Sequence, residues 1–415
     1  MNPPSRRAFL ASAASLFASR AFARADGLAP FDKMMEAFLA DNKVPGAALA
    51  VTRGGKIVHA RGYGMADVGA KEPAKADSLF RIASVSKPIT AVAVLQLVEQ
   101  GKLKLDDKVL DRMPLKPPVA DGSKIDERWK AITVRHCLQH TGGWDRDKSY
   151  DPIGKAWDIA KAFEMPPPVT PEHVVRYMMG QPLDFDPGER YAYSNLGYLV
   201  LGRIVESLGG QKYEDFVKER IFAPIGVTTA KLGRARIENL AKNEVRYYDA
   251  RKGTGRSLYP PKVGETVPTV YGAMNLEAFE AHGGWIASAV DLAKFAAAFD
   301  DPKKCPLLNG MSIAQMWARP DGKAGTDAKG QPRAVYYGCG WQVRPTGAAG
   351  ESNQWHGGYI PGSEALLVRR RDGWNWAVLF NANNAPDGKS LSGKIDAEVH
   401  AAANAVKDWP PAQKS

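Results

Sequence analysis

Cysteine is scarce in this chain. Cys137, Cys305 and Cys339 are an odd set with no close pairing among 415 residues. That excludes a disulfide-built scaffold and leaves room for one bridge and one free thiol. Long apolar runs are missing as well, so no membrane span is expected. No basic stripe with interleaved aromatics is present, which argues against nucleic acid as a partner. Gly-x-Ser-x-Gly is absent, and with it the nucleophile elbow of the α/β-hydrolases. One short segment, "HCLQH", sets His136 and His140 four apart in the manner of a metal pair. No glutamate stands between them and no third ligand is evident, so neither a metal nor a cofactor is expected.

What is present is ordinary globular composition, 44 % hydrophobic and 24 % charged, in a length that suits one large domain or two. The first 25 residues stand apart. "MNPPSRRAFLASAASLFASRAFARA" has a basic pair, an alanine-rich apolar run and a small-x-small end. This is the pattern of an export signal, and "SRRAFL" resembles the twin-arginine consensus. Cleavage after Ala25 and a periplasmic or secreted location are expected. Losing Arg6, Arg7, Arg20 and Arg24 with the signal takes the formal charge from +11 to +7. A mildly basic exported protein is suited to contact with anionic envelope polymers.

Strand signals sit near both ends. Residues 47–64 read as a hairpin around Gly54–Gly55, and residues 363–383 as another turned at Asp372–Gly373. A further strand is expected over 338–345. Between these, apolar spacing predicts helices over 84–100, 131–140, 171–180, 196–208 and 212–222, with another near 289–300. Residues 321–332 read as a mobile surface loop. The expected fold class is α+β: residues 26–83 and 271–415 form an antiparallel sheet lobe flanked by helices, residues 84–270 a mainly helical lobe, and a site lies in the cleft between.

The segment "IASVSKPITAVAVLQLV", residues 82–98, places two serines and a lysine at the mouth of an apolar helix. Residues three apart share a helix face, so Lys87 faces Ser84 while Ser86 points away. Burial lowers a lysine's pKa, and a neutral amine can serve a hydroxyl as general base. The same segment also reads as a capping serine beside a snorkelling surface lysine, and by itself does not decide. "FDPGERYAYSNLGYLVLGRIVE", residues 185–206, sets Tyr193 and Asn195 before a second apolar helix. Tyr193 reads as a phenol for proton transfer or as a buried aromatic. "WHGGYIPGSEALLV", residues 355–368, brings His356, Gly357 and Gly358 to the approach of a strand. Glycines there permit close approach of a backbone or a ligand, or simply make a turn.

These three segments, in this order, resemble the motifs of the serine β-lactamase and penicillin-binding-protein superfamily. The nearest branch is the class C β-lactamase-related group, with its esterases and D-amino-acid-specific peptidases. "FRIASVSKPITAVAVLQLVEQGKLKLDDKV", "ITVRHCLQHTGGW" and "GGWIASAVDLAKF" resemble further blocks of that family, and the likeness spans roughly residues 30–400. The resemblance implies the fold class given above. It implies that Ser84 forms an acyl-enzyme and that Lys87 and Tyr193 share the proton. The N–H groups of Ser84 and Tyr359 would form an oxyanion hole. Asn195, His356, Gly357 and Gly358 would bind substrate. By the same comparison His140, His282 and Ser86 are structural or supporting residues.

The third motif departs from the family's Lys-Thr-Gly. His356 is a weaker cation than lysine, and Gly357 brings no hydroxyl. Both changes weaken capture of a carboxylate. The expectation is therefore an esterase-like serine hydrolase of small ester, amide or peptide substrates, with weak or no β-lactamase activity. The alternatives are a β-lactamase, a D-alanyl-D-alanine carboxypeptidase or D-aminopeptidase, an acyltransferase, and a non-catalytic binder of cell-wall fragments.

Overall fold

The computed structural model describes residues 29–113, 115, 124–347 and 350–406; the export signal read in residues 1–25 lies outside them. The chain ends meet in one antiparallel sheet of eight strands. Its order is Tyr336–Tyr337, Gln342–Pro345, Ser352–Ile360, Ser363–Arg369, Trp374–Phe380, Gly46–Arg53, Lys56–Asp67 and Glu72–Pro73. Gly46–Arg53 is the junction, pairing with Trp374–Phe380 on one side and Lys56–Asp67 on the other.

Both faces of this junction are covered, which is why its strands are apolar almost throughout. Ala47, Leu49, Val51, Val378 and Phe380 pack with residues of the terminal helices Ala29–Asn42 and Leu391–Ala405. The alternate residues Ala48, Ala50, Ala377 and Leu379 join the core that holds the helix Ala289–Ala297. A period of two with both faces buried leaves little place for polar side chains, and buried Thr52 and Asn375 are accommodated by a hydrogen bond from the Asn375 amide to the Thr52 hydroxyl. The inner core continues without interruption into Val92 and Leu95 of the helix Ser86–Glu99 and Leu199 and Val205 of the helix Asn195–Gly209. Every residue from Ser86 to Leu97 is buried, so that helix is enclosed on all sides rather than amphipathic.

Both expected hairpins form. The expected strand over 338–345 narrows to Gln342–Pro345, and residues 338–341 turn it back on its antiparallel partner Tyr336–Tyr337. The break has a steric cause. Gly340 has φ +84, and a Cβ on it would lie 2.7 Å from the Ala91 side chain and 3.0 Å from the Lys87 carbonyl. The chain leaves the sheet there to lie against the buried helix. The helix expected over 131–140 shrinks to Val134–Leu138, because Thr133 caps it and His136 closes the capping box from Nδ1. His136 is thereby spent on a helix end. The expected surface loop at 321–332 is exposed over much of its length but ordered: the short helix Gly322–Gly325 is followed by a turn whose N–H groups at Lys329 and Gln331 donate to Asp327. All three cysteines are free thiols. No helix among the described residues is long and apolar enough to cross a membrane.

Candidate active site

Ser84 sits in a single 3₁₀ turn, Ala83–Val85, that runs directly into the helix Ser86–Glu99. Ala83, the residue before it, is buried at φ +47. This left-handed conformation costs a non-glycine residue roughly 1–2 kcal/mol and must be held by its surroundings. Ser86 does part of that, donating from Oγ to the Ala83 carbonyl at 2.7 Å. Ser363 Oγ donates to the Arg81 carbonyl, also at 2.7 Å, tying the turn to the sheet. Gly358 completes the clamp: a Cβ there would stand 2.2 Å from the Ile82 carbonyl oxygen. The strand Ser352–Ile360 therefore meets the serine turn backbone to backbone.

Lys87 is fully buried, at 0 % exposure. Its Nζ lies 3.0 Å from Ser84 Oγ, 2.7 Å from Asn195 Oδ1 and 2.9 Å from the His282 carbonyl. Burial drives its pKa well below the usual lysine range; the Asp151 carboxylate pulls it part of the way back and Arg146 opposes that. The partners have unequal abilities. Asn195 Oδ1 and the His282 carbonyl can only accept, so they take the two N–H groups of a neutral amine. The remaining lone pair is directed at Ser84, the one partner able to donate a proton. The geometry thus arranges a base for the serine hydroxyl.

Asn195 is itself fixed from behind. Its Nδ2 donates to Asp151 Oδ2 at 2.6 Å, which selects the orientation with the oxygen toward Lys87. Asp151 follows a loop and caps the turn Pro152–Gly154 through Ile153 N–H. Arg146 stands nearby, 3.8 Å from Asp151 and with its guanidinium 4.6 Å from the centre of the Tyr193 ring. Beside this group lies a cavity of about 340 Å³ whose lining includes Trp144, Arg146, Tyr150, Asp151 and Asn195.

Tyr193 interacts with the Ser84 hydroxyl. Burial pushes its phenol up, and the hydrogen bond with Ser84 and the charge of Arg146 pull less strongly the other way. It therefore stays protonated near neutrality. Lys87 Nζ lies 4.8 Å from its ring centre. The ring of His140 packs against it at 4.3 Å and against Tyr337 at 4.4 Å, while His140 Nδ1 accepts from Ser194 N–H. So His140 and His282, assigned to structural blocks from the sequence, both border the reactive group, one through its ring and the other through its carbonyl.

On the strand side, His356 is buried between two fixed partners. Nδ1 lies 2.7 Å from the Gly357 carbonyl and Nε2 lies 2.8 Å from Tyr337 Oη. A carbonyl only accepts, so Nδ1 carries the proton and Nε2 accepts from the phenol. Burial, the largest cause, holds its pKa down at about 3, and a proton on Lys87 would push the same way. His356 is thus a neutral imidazole and supplies no cation. Gly357 does not face the cleft: its missing Cβ would point toward Ala365 O and Ser392 Oγ, both 3.9 Å away. Alternation along the strand sets this position on the face opposite His356 and Gly358, so only its backbone is placed to meet a substrate.

Tyr359 offers its backbone. Ile360 and Ser363 close a hairpin over two residues and are its hydrogen-bonded pair; the next pair, Tyr359 and Glu364, is then a non-hydrogen-bonded one. Its N–H points away from Ser363–Arg369, toward an edge where Gln342–Pro345 pairs only as far as Trp355. The side chain is 45 % exposed and its hydroxyl donates to Asn384 Oδ1.

A base-paired serine beside a protonated phenol and an outward strand N–H suits acyl transfer. Residues 31–400 match the family profile named Beta-lactamase. The chain belongs to the beta-lactamase family. It is 28 % identical over 381 residues to penicillin-binding protein 4* of Bacillus subtilis, covering 89 % of this chain and 75 % of that one. It is 35 % identical over 231 residues to esterase EstB of Burkholderia gladioli, a match spanning 54 % of this chain and 55 % of the relative. A solved D-stereospecific amidohydrolase from Streptomyces superposes with a TM-score of 0.63 at 25 % identity, over 88 % of this chain and 97 % of that one. The fold is that of the β-lactamase/transpeptidase class, and the chain is a serine hydrolase of the β-lactamase and penicillin-binding-protein superfamily.

Within this beta-lactamase-family site, sequence spacing missed Asp151, Arg146 and Tyr337. Asp151 carries a turn-capping signal before Pro152, but nothing in its own segment points to Asn195. Tyr337 stands in "YYGCGW", where glycine-flanked aromatics give no hint of a histidine partner.

Proposed function

We propose that this protein is an esterase-like acyl hydrolase with little activity toward β-lactams. The observation that carries this reading is the neutral His356, held between an acceptor carbonyl and the Tyr337 phenol. A lactam or D-alanyl carboxylate presented to the third motif would meet no cation there. The half-length likeness to an esterase supports the same reading.

In the proposed reaction Lys87, as the neutral amine, takes the Ser84 proton while Oγ bonds to the substrate carbonyl carbon. The oxyanion is held by the N–H groups of Ser84 and Tyr359. Preorganised donors of this kind are worth about 2.7–4 kcal/mol each in other hydrolases. Collapse breaks the bond to the leaving alcohol or amine, and the proton passes through Tyr193 to that leaving atom. Water then adds to the acyl-enzyme and gives its proton to the Lys87–Tyr193 pair; the bond from the carbonyl carbon to Oγ breaks as the pair returns that proton to Oγ, releasing the acid and free Ser84. No cofactor enters. The twin-arginine-like leader is read as sending the folded enzyme to the periplasm or outside the cell.

The test is a panel of short-chain aryl esters, D-amino-acid amides and a chromogenic cephalosporin, with wild type and Ser84→Ala. Ester turnover that depends on Ser84 and far exceeds cephalosporin turnover supports the reading. The reverse order of efficiencies overturns it.

A further inference from the structure

We propose that the cavity beside Asn195 receives an acyl group ending in a carboxylate, and that Arg146 is the residue that binds it. This rests on the acyl-hydrolase reading above and names the substrate class.

The argument is an account of charges around the cavity. Four charged side chains line it: Arg146, Lys148, Asp151 and Asp184. Three are already engaged within the protein. Asp151 accepts from Asn195 Nδ2 and Ile153 N–H. Asp184 accepts from Asp145 N–H and Ser149 Oγ. Lys148 donates to the Asp184 carbonyl. Arg146 is different. Its acidic neighbours, Asp147 and Asp151, stand at 3.9 and 3.8 Å, beyond hydrogen-bonding distance, and among the described residues it makes no hydrogen bond. Beside these two loose ion pairs its guanidinium lies over the face of Tyr193, which fixes its plane and leaves its N–H groups without a hydrogen-bond acceptor among the described residues. A planar fork held in this way matches a carboxylate bidentately.

Position decides which part of the substrate is read. Asn195 lines the cavity and is joined to Ser84 through the single Nζ of Lys87. No residue of the strand Ser352–Ile360 lines it. Ser84 itself does not line the cavity; in the proposed mode a chain bonded at Ser84 passes Asn195 to enter it and ends at Arg146. The anionic group is therefore on the acyl part, and its receptor is on the helical side of the cleft, away from the third motif. Half-esters and half-amides of short dicarboxylic acids have this form.

The experiment compares mono-p-nitrophenyl adipate with p-nitrophenyl hexanoate, which share chain length and leaving group. Wild type, Arg146→Gln and Arg146→Lys are each checked for a fluorophosphonate adduct on Ser84. The quantity read is the ratio of kcat/KM for the adipate over the hexanoate. In Arg146→Gln it falls by about tenfold or more, the loss of a charge-assisted hydrogen-bond pair, chiefly through KM; Arg146→Lys recovers part of it. A ratio unchanged within about twofold, or an equal loss on both esters, overturns the inference. The second result would make Arg146 a support for Tyr193 and nothing more. No adduct on wild-type Ser84 sinks the serine-hydrolase mechanism and the inference with it. A labelled enzyme with an unmoved ratio sinks the inference alone.

Discussion

The two walls of the cleft are built from different chemistry. The helical wall holds the ionisable groups: Lys87 and Asp151, joined through Asn195 by bonds of 2.7 and 2.6 Å, with Arg146 3.8 Å from Asp151. The strand wall holds a neutral imidazole, a phenol and open backbone. His356, Tyr337 and Gly358 hydrogen-bond or pack so as to shape the site without adding charge to it. On the mechanism proposed above, the difference assigns proton transfer and substrate geometry to separate elements. Damage to one wall should then read out differently from damage to the other.

The largest effect falls on the helical wall. Ser84→Ala is expected to abolish acylation, lowering kcat by at least about 10⁴-fold, as removal of a nucleophile does in other hydrolases. Ser86→Ala removes only a brace on Ala83 and retains measurable turnover with an adduct on Ser84. Adduct mass spectrometry of the two variants reads the contrast directly; an adduct that depends on Ser86 and persists without Ser84 would reverse the assignment. Next comes the strand wall's backbone. Gly358→Ala places a Cβ 2.2 Å from the Ile82 oxygen, where backbone on both sides has nowhere to go. Overpacking of this kind costs about 1–3 kcal/mol of stability. The serine turn and the Tyr359 N–H move apart, so kcat falls by about 10²-fold. A Gly358→Ala enzyme with wild-type melting temperature and kcat would show that the two walls do not touch in the way described.

Much of this was legible in the sequence because it depends on local periodicity. Three-residue spacing on a helix picks Ser84 rather than Ser86, and the turns at Gly54–Gly55 and Asp372–Gly373 locate both hairpins. What was not legible depends on contacts between segments far apart in sequence. Asp151 meets Asn195 across 44 positions, and Tyr337 meets His356 across 19. Neither pair leaves a periodic trace. The positive φ of Ala83 is invisible for a different reason: alanine does not advertise a left-handed turn as glycine does. The break at Gly340 could have been suspected from "GCG", but the buried helix that forces it could not. Gly357 shows a different limit, since motif position groups it with His356 and Gly358 while strand alternation sets it on the opposite face.

Asp151→Asn tests the depth of the helical wall with a smaller effect. The substitution keeps the shape but removes the charge and lets the Asn195 amide turn over. Misplacement of Lys87 by a fraction of an ångström is expected to lower kcat by about 10- to 100-fold. The pH profile carries the finer signature. Asp151 raises the Lys87 pKa against the larger downward pull of burial, so its removal lowers that pKa further. Lys87 must be neutral to act as base, and the acid limb of kcat/KM accordingly moves to lower pH. A limb that stays in place, or moves upward, removes Asp151 from the proton-transfer chain.

The smallest effect, and the sharpest for the strand wall, concerns stability rather than rate. His140, His282 and His356 are all buried and all have pKa values lowered first by burial. In the unfolded chain each returns to about 6.5. Below that value the unfolded state binds more protons than the folded one, so stability is fully present above about pH 6.5 and declines as pH falls toward the folded pKa, which for His356 is about 3. Each such histidine contributes a slope of up to about 1.4 kcal/mol per pH unit in that window. His356→Gln should reduce the slope of denaturation free energy against pH by one histidine's share. Tyr337→Phe removes a donor to His356 Nε2, leaving that nitrogen easier to protonate and the slope slightly shallower, with only a few-fold loss of kcat. Equilibrium unfolding in urea from about pH 4 to 8 measures it. If His356→Gln leaves the slope untouched while moving the acid limb of kcat/KM, the imidazole titrates in the folded enzyme, and the strand wall carries charge after all.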